Sequence, residues 1–229
     1  MVNPLHTEIV TRRQGSLIRL RPECEGQYIS LHQRTFPGVL ERIRKSHIRS
    51  YSIFLYAGYL FSYIEYTGDA FDADMKAIGD PITKEWWKLT DPMQEPLPTR
   101  RPGEWWAEME QLIQPGETTG LRPDIRRCAY TATVKSGSSE TVKRMLRDNS
   151  RLLLRSLTRE HRQNFNLYFK DNMLYIYSEF PGNDSARCGE EFLQIDDPPQ
   201  WDREFEPHLA KPWQEMREVF HTDSLQNLT

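Results

Sequence analysis

Near the start of the chain Ile18 and Leu20 alternate with Arg19 and Arg21, the period-two pattern of a strand with one face in a core. From Glu25 to Ser46 the period lengthens. Tyr28, His32, Val39, Leu40 and Ile43 recur at helical spacing, and Pro37 is expected to kink or restart the helix. Two strands follow, Tyr51–Tyr56 and Tyr59–Tyr66, with Ala57-Gly58 as the hairpin turn between them. Gly68-Asp69 then offers an Asp N-cap to a second helix whose apolar face carries Phe71, Met75 and Ile78. A closing strand is expected over Trp105–Ile113.

The same order recurs downstream. An offset of 114 residues, without gaps, lays Leu40 on Leu154, His47 on His161, Leu60 on Leu174, Tyr63 on Tyr177, Glu65 on Glu179, Gly68 on Gly182 and Trp87 on Trp201. Asp171-Asn172 then falls on the hairpin turn, and Asn183 on the N-cap. The second closing strand, Trp213–His221, shares the pattern Trp-x-Glu-Met with the first at an offset of 107. Gln114–Asp124 holds Pro115, Gly116, Gly120 and Pro123, which suits a linker. The expected organisation is an α+β chain with one βαββαβ domain over 15–113, a linker over 114–124 and a second domain over 125–222, each a ferredoxin-like sheet with helices on one face.

Composition narrows the function. The 229 residues are 38% hydrophobic and 28% charged, enough for two small cores. The net charge of -3 and a pI near 6.1 give no basic field, so neither nucleic acid nor an anionic membrane is an expected partner. No run of about 18 apolar residues occurs, and no apolar segment follows Arg12-Arg13 to make a signal peptide, so a cytoplasmic location is expected. Cys24, Cys128 and Cys188 are odd in number and far apart, which argues against a disulfide framework or a structural zinc site.

Tyr28 and His32 lie four apart on the first helix and share a face. Alone, such a pair on an amphipathic helix is more often core or rim than catalytic. With Tyr51 opening the second strand and Trp86-Trp87 after the second helix, however, the chain resembles the L-rhamnose mutarotase family from about Ile18 to Met93. The residues that carry the resemblance are Tyr28-x-x-x-His32, Lys45-Ser46-His47, Ser50-Tyr51-Ser52-Ile53, and Trp86-Trp87-Lys88 followed by Asp91, with the intervals between them kept without gaps. The resemblance implies that His32 is the proton donor and that Tyr28, Tyr51, Trp86 and Trp87 contact a sugar. It also implies a dimeric α+β barrel, here formed within one chain as a monomeric pseudo-dimer.

The chemistry is coherent on its own terms. Exchange of α and β anomers needs one proton removed from the anomeric hydroxyl and one delivered to the ring oxygen, with no redox step, so neither cofactor nor metal is called for. Imidazole suits both transfers near neutral pH, a tyrosine hydroxyl can hold or relay the other proton, and indole faces suit the C–H side of a pyranose. Adjacent tryptophans diverge by about 100° on a helix, so one of the pair is expected in the core, and Trp87, repeated as Trp201, is the better candidate. His47 and His161 lie near helix C-termini and read as structural. The second copy carries Val142, Leu146, Phe165 and Gln200 where the first has Tyr28, His32, Tyr51 and Trp86, so one site per chain is expected. The competing readings are a sugar-binding or sensing module without turnover, and another cofactor-free α+β barrel enzyme.

Overall fold

The alternating stretch forms β1 (Arg12–Leu20) in a computed structural model that describes residue 10 and residues 12–115, 125–159, 163–181 and 204–222. Pro37 restarts the helix: α1 covers Glu25–His32 and α2 covers Pro37–Lys45, with proline where an N–H would lack an intrahelical partner anyway. The hairpin is β2 (Ile48–Tyr56) and β3 (Tyr59–Tyr66). Its turn residues Ala57 and Gly58 have φ of 48° and 77°, the left-handed pair that matches strand twist. Asp171 and Asn172 repeat that geometry at 51° and 59°.

Next come α3 (Phe71–Ile78), α4 (Pro81–Thr90) and two-residue strands β4 (Gln94–Glu95) and β5 (Ala107–Glu108). Asp69 does not cap α3 as the sequence suggests. The N-cap is Ala70, whose amide donates to the Tyr66 hydroxyl at 3.0 Å. The side-chain cap sits one helix later, where Asp80 accepts from the Thr83 amide at 2.8 Å.

The chain divides into two compact units, Glu8–Met109 with Arg217–Thr229, and Met1–Thr7 with Glu110–Met216. The first unit carries the antiparallel order β4-β1-β3-β2, with β5 also on β1. The second contains β6 (Glu110–Ile113), β7 (Ile125–Val134), α5 (Ser139–Asp148), α6 (Ser150–Arg159), β8 (Gln163–Lys170), β9 (Met173–Pro181) and residues 209–216 of β10 (Leu209–His221). Its order is β10-β7-β9-β8, the same arrangement.

Both closing strands are divided, which local pattern did not foretell. Ala107 and Glu108 pair with β1, whereas Glu110–Ile113 pair with β8. Likewise Glu215 and Met216 pair with β7, whereas Arg217–His221 pair with β2. The outer edges of β2 and β8 would otherwise present rows of unpaired backbone groups. Strand register follows the sequence offsets: Arg13 opposes Glu65 as Arg127 opposes Glu179, and Phe220 opposes Ile53 as Ile113 opposes Leu167.

Leu17 and Ile18 are both buried, so β1 is covered on two faces rather than one. On the helix side Ile18, Leu20, Ile53, Leu55 and Leu60 pack with Tyr28 and Ile29 of α1. On the other side Glu65, 2% exposed, is held by Arg13, by Arg49 and by the Tyr63 hydroxyl at 2.8 Å. Cys128 on β7 is disulfide-bonded, against the expectation that odd, widely spaced cysteines make disulfides improbable, while Cys24 is free. Sequence separation between cysteines does not measure distance once strands pair. Cys188, His161, Asn183, Gln200, Trp201 and most of the expected linker lie outside the described residues.

Glu65→Ala removes the buried carboxylate that Arg13 and Arg49 share and is expected to lower stability by about 3–5 kcal/mol in urea unfolding. Glu85→Ala, which removes the exposed pair with Lys88, should change it by less than about 0.5 kcal/mol. Equal effects would contradict the assignment of the Glu65 cluster as an energetic anchor.

Candidate active site

A cavity of about 260 Å³ lies in the first unit. The sheet contributes Ser16, Tyr51, Ile53, Ser62 and Ile64; the helices and adjoining turns contribute His32, Thr35, Val39, Ile43, Met75, Ile78, Thr83, Trp86 and Trp87; Trp106 and Phe220 complete the wall. The volume is near the lower end for small-molecule sites and suits one small metabolite.

His32 is the one imidazole on this wall. Helical spacing lets its Nδ1 reach the Tyr28 carbonyl at 2.9 Å. A carbonyl only accepts, so the contact assigns the proton to Nδ1 and leaves a lone pair on Nε2. Among the described residues Nε2 has no hydrogen-bond partner. The ring is 6% exposed and boxed by aromatic neighbours: Tyr28 with centroids 4.0 Å apart, Trp86 edge-on at 5.2 Å and Phe220 edge-on at 5.6 Å. Burial pushes its pKa down to about 4, against the smaller opposing pull of the Tyr28 carbonyl. At neutral pH the group is therefore an uncharged proton acceptor, and it donates only after it has accepted.

Tyr51 stands on the same wall at the start of the buried part of β2, and its hydroxyl has no hydrogen-bond partner among the described residues. Burial pushes its pKa up to about 12, so the phenol keeps its proton at neutral pH. Tyr28 is fully buried and does not line the cavity; its ring backs the imidazole. Its hydroxyl accepts from Gln94 Nε2 at 3.3 Å, and Gln94 Oε1 in turn accepts from Trp105 Nε1 at 2.8 Å. Burial raises the Tyr28 pKa well above its ordinary value, and the nearby Tyr51 adds to this.

The tryptophans are assigned the other way round from the sequence expectation. Trp86 is buried against His32 and Phe36, in line with Thr83 and Thr90, whereas Trp87 is 37% exposed at the rim. The reason is helix phase, since positions 83, 86 and 90 share the inward face of α4 and 87 is rotated off it. Both still line the cavity. His47 lies away from it, at φ 57° just past α2, donating from Nδ1 to Asp74 at 2.8 Å.

Sequence reasoning missed Gln94, Trp106 and Phe220. Trp106 carried a signal in the repeated Trp-x-Glu-Met, whereas Phe220 carried none, because only strand pairing brings it to the site. In the second unit Val142, Leu146 and Phe165, at the positions of Tyr28, His32 and Tyr51, sit in one buried apolar cluster with Tyr130 and Ile176, which stand where the first copy has Ser16 and Ser62. Among the described residues, apolar side chains thus stand at the positions that His32 and Tyr51 occupy in the first unit.

Residues 13–114 match the family model described as L-rhamnose mutarotase. An L-rhamnose mutarotase of Mannheimia succiniciproducens is 26% identical over 103 residues, covering 44% of this chain and 95% of that protein. Another, of Oceanobacillus iheyensis, is 27% identical over 86 residues, covering 37% of this chain and 81% of that protein. Among solved structures, a candidate monooxygenase of Lactobacillus acidophilus NCFM aligns with a TM-score of 0.54 at 7% identity over 91% of this chain and 95% of its own. A candidate monooxygenase of Fusobacterium nucleatum gives 0.52 at 12% identity over 95% of both. At these identities the structural likeness speaks to the mixed α+β, antiparallel-sheet fold alone. Among the described residues no helix is long and apolar enough to cross a membrane.

The depressed pKa of His32 has a stability consequence of definite sign. Between about pH 6.5 and about 4 the unfolded imidazole binds a proton that the folded one does not, so stability is full above the upper value and is lost as pH falls toward the lower. The loss amounts to on the order of 3 kcal/mol at 1.36 kcal/mol per unit. His32→Leu, which copies Leu146 of the second repeat, should flatten this limb in urea unfolding at pH 4.5 and 7.5. An unchanged limb would show that His32 is not the titrating group.

Proposed function

We propose that this chain, whose residues 13–114 belong to the L-rhamnose mutarotase family, interconverts the α and β anomers of a 6-deoxyhexose such as L-rhamnose or L-fucose. The observation that carries the reading is His32, its Nε2 without a hydrogen-bond partner among the described residues, on the wall of a small cavity that Tyr51 also lines, with the ring of each against Phe220.

In this reading His32 Nε2 takes the proton of the anomeric hydroxyl while Tyr51 gives one to the ring oxygen. The bond between the anomeric carbon and the ring oxygen breaks to give the open aldehyde. After rotation about the adjacent carbon–carbon bond the ring oxygen attacks the other face, its proton returns to Tyr51 and the imidazolium returns its own to the new anomeric oxygen. Protons and electrons balance with no external donor or oxidant, so the reaction runs without a cofactor. Trp86 and Trp87 offer apolar faces to the pyranose, and Tyr28 fixes the imidazole through its carbonyl and ring rather than touching the sugar. We further propose that the two repeats arose by duplication, that the second is retained without a site of its own, and that the chain works as a cytoplasmic monomer.

A second reading is favoured by one feature, the predominance of aliphatic and aromatic side chains on the wall: a small apolar metabolite would be bound there by another cofactor-free enzyme of this fold. Saturation-transfer NMR separates the two. Catalysed α/β exchange of L-rhamnose or L-fucose is expected, abolished by His32→Ala with the circular dichroism unchanged. Tyr51→Phe should cost about one hydrogen bond, 0.5–1.5 kcal/mol. The rate should be flat from pH 6 to 8 and fall only in acid, toward the His32 value of about 4. Binding without exchange would leave a sugar-binding module, and neither binding nor exchange would favour the apolar ligand.

A further inference from the structure

Part of the cavity wall comes from the far end of the chain. Residues Arg217–His221 pair with β2, and the register shifts between Glu218 and Phe220. A bulge of this kind re-aims side chains, and here the consecutive residues Val219 and Phe220 both enter the cluster around Tyr28 and Ile53, where a regular strand would send them to opposite faces. The segment is fastened at the site itself: the Thr222 amide donates to the Tyr51 carbonyl at 3.0 Å, the Tyr51 amide donates to Thr222 Oγ1 at 3.3 Å, and Ser52 Oγ lies 2.8 Å from His221 Nδ1. The Phe220 ring then stands edge-on to both His32, at 5.6 Å, and Tyr51, at 5.4 Å.

We infer that the terminal segment Arg217–Thr222 is a working part of the site, with Phe220 the positioning residue that holds the His32 and Tyr51 rings and keeps water from the imidazole. This rests on the proton-transfer reading given above. The second unit supplies the internal comparison. There the same shift, between Gln111 and Ile113, brings Ile113 into a cluster with Leu146 and Phe165, which holds no imidazole among the described residues. The bulge is thus common to both repeats, and the aromatic ring aimed at an imidazole is particular to one. Among the described residues the titratable groups around His32 are Tyr28 from its own helix and Tyr51 from β2, with Asp91 acting on Tyr28; to the cavity α4 presents Thr83, Trp86 and Trp87 and the terminal strand presents Phe220. Removing Phe220 therefore opens an apolar side of the box without removing a charge. A residue of the second repeat completes the first repeat's site, which gives the second repeat a reason to persist.

The test uses the full-length chain with labelled histidine. His32 should titrate near about 4 in the unaltered protein. In Phe220→Ala the midpoint should rise by about one unit or more toward the ordinary imidazole value, with anomer exchange reduced roughly tenfold and its acid limb displaced by the same amount. Phe220→Leu, which preserves most of the apolar bulk, should keep the midpoint and most of the rate. An Ala variant with unchanged titration overturns the inference, whether or not its rate falls. If no variant, nor the unaltered chain, accelerates exchange, the mutarotase reading fails, and the His32 midpoint alone still decides the role of Phe220.

Discussion

Removing an imidazole from water disfavours its charged form, and the site depends on the way that penalty is met. The one hydrogen bond the His32 ring makes among the described residues, from Nδ1 to the Tyr28 carbonyl four residues back, satisfies the protonated nitrogen, fixes the tautomer and leaves the other nitrogen bare. The aromatic box then sets orientation and holds the group neutral, with Tyr28, Trp86 and Phe220 each within 6 Å or so of the ring centre. In the proposed reading a base is thus made by geometry that costs no buried charge. The same burial keeps Tyr51 protonated, so a bare acceptor and a loaded donor share one cavity wall at neutral pH.

Other features arrange themselves around that constraint. The sheet is anchored on its other face by the buried Arg13, Arg49, Glu65 and Tyr63 group, and the Tyr-x-Glu part of this recurs in the second unit, where the Tyr177 hydroxyl donates to Glu179 at 2.8 Å and Asn164 joins it at 2.9 Å. The Tyr-x-Glu pair is present in both units, whereas the positions of His32 and Tyr51 in the first carry Leu146 and Phe165 in the second. Leu146, Phe165, Tyr130 and Ile176 pack as core in the second unit, at the positions where the first unit has His32, Tyr51, Ser16 and Ser62 on a cavity wall.

Where periodicity is local, the sequence was legible. The pairing of Tyr28 with His32, the restart at Pro37 and the two-residue turn at Ala57-Gly58 all follow from spacing. What local pattern does not encode is which partner a strand end selects. The split of the closing strands, and with it the arrival of Phe220, depends on pairing between residues far apart in the chain. Helix phase explains the exchange of roles between Trp86 and Trp87, because an offset between repeats reports likeness and not burial. Gln94 was invisible for a third reason: its role is to satisfy the Tyr28 hydroxyl, a requirement that exists only once Tyr28 is buried.

The central claim, a neutral His32 poised to accept a proton, is open to direct observation. Nitrogen NMR of the labelled imidazole in the unaltered chain at neutral pH should report a proton on Nδ1 and a bare Nε2, with that state persisting when L-rhamnose is added. A doubly protonated ring, or a proton on Nε2 with Nδ1 bare, would contradict the account.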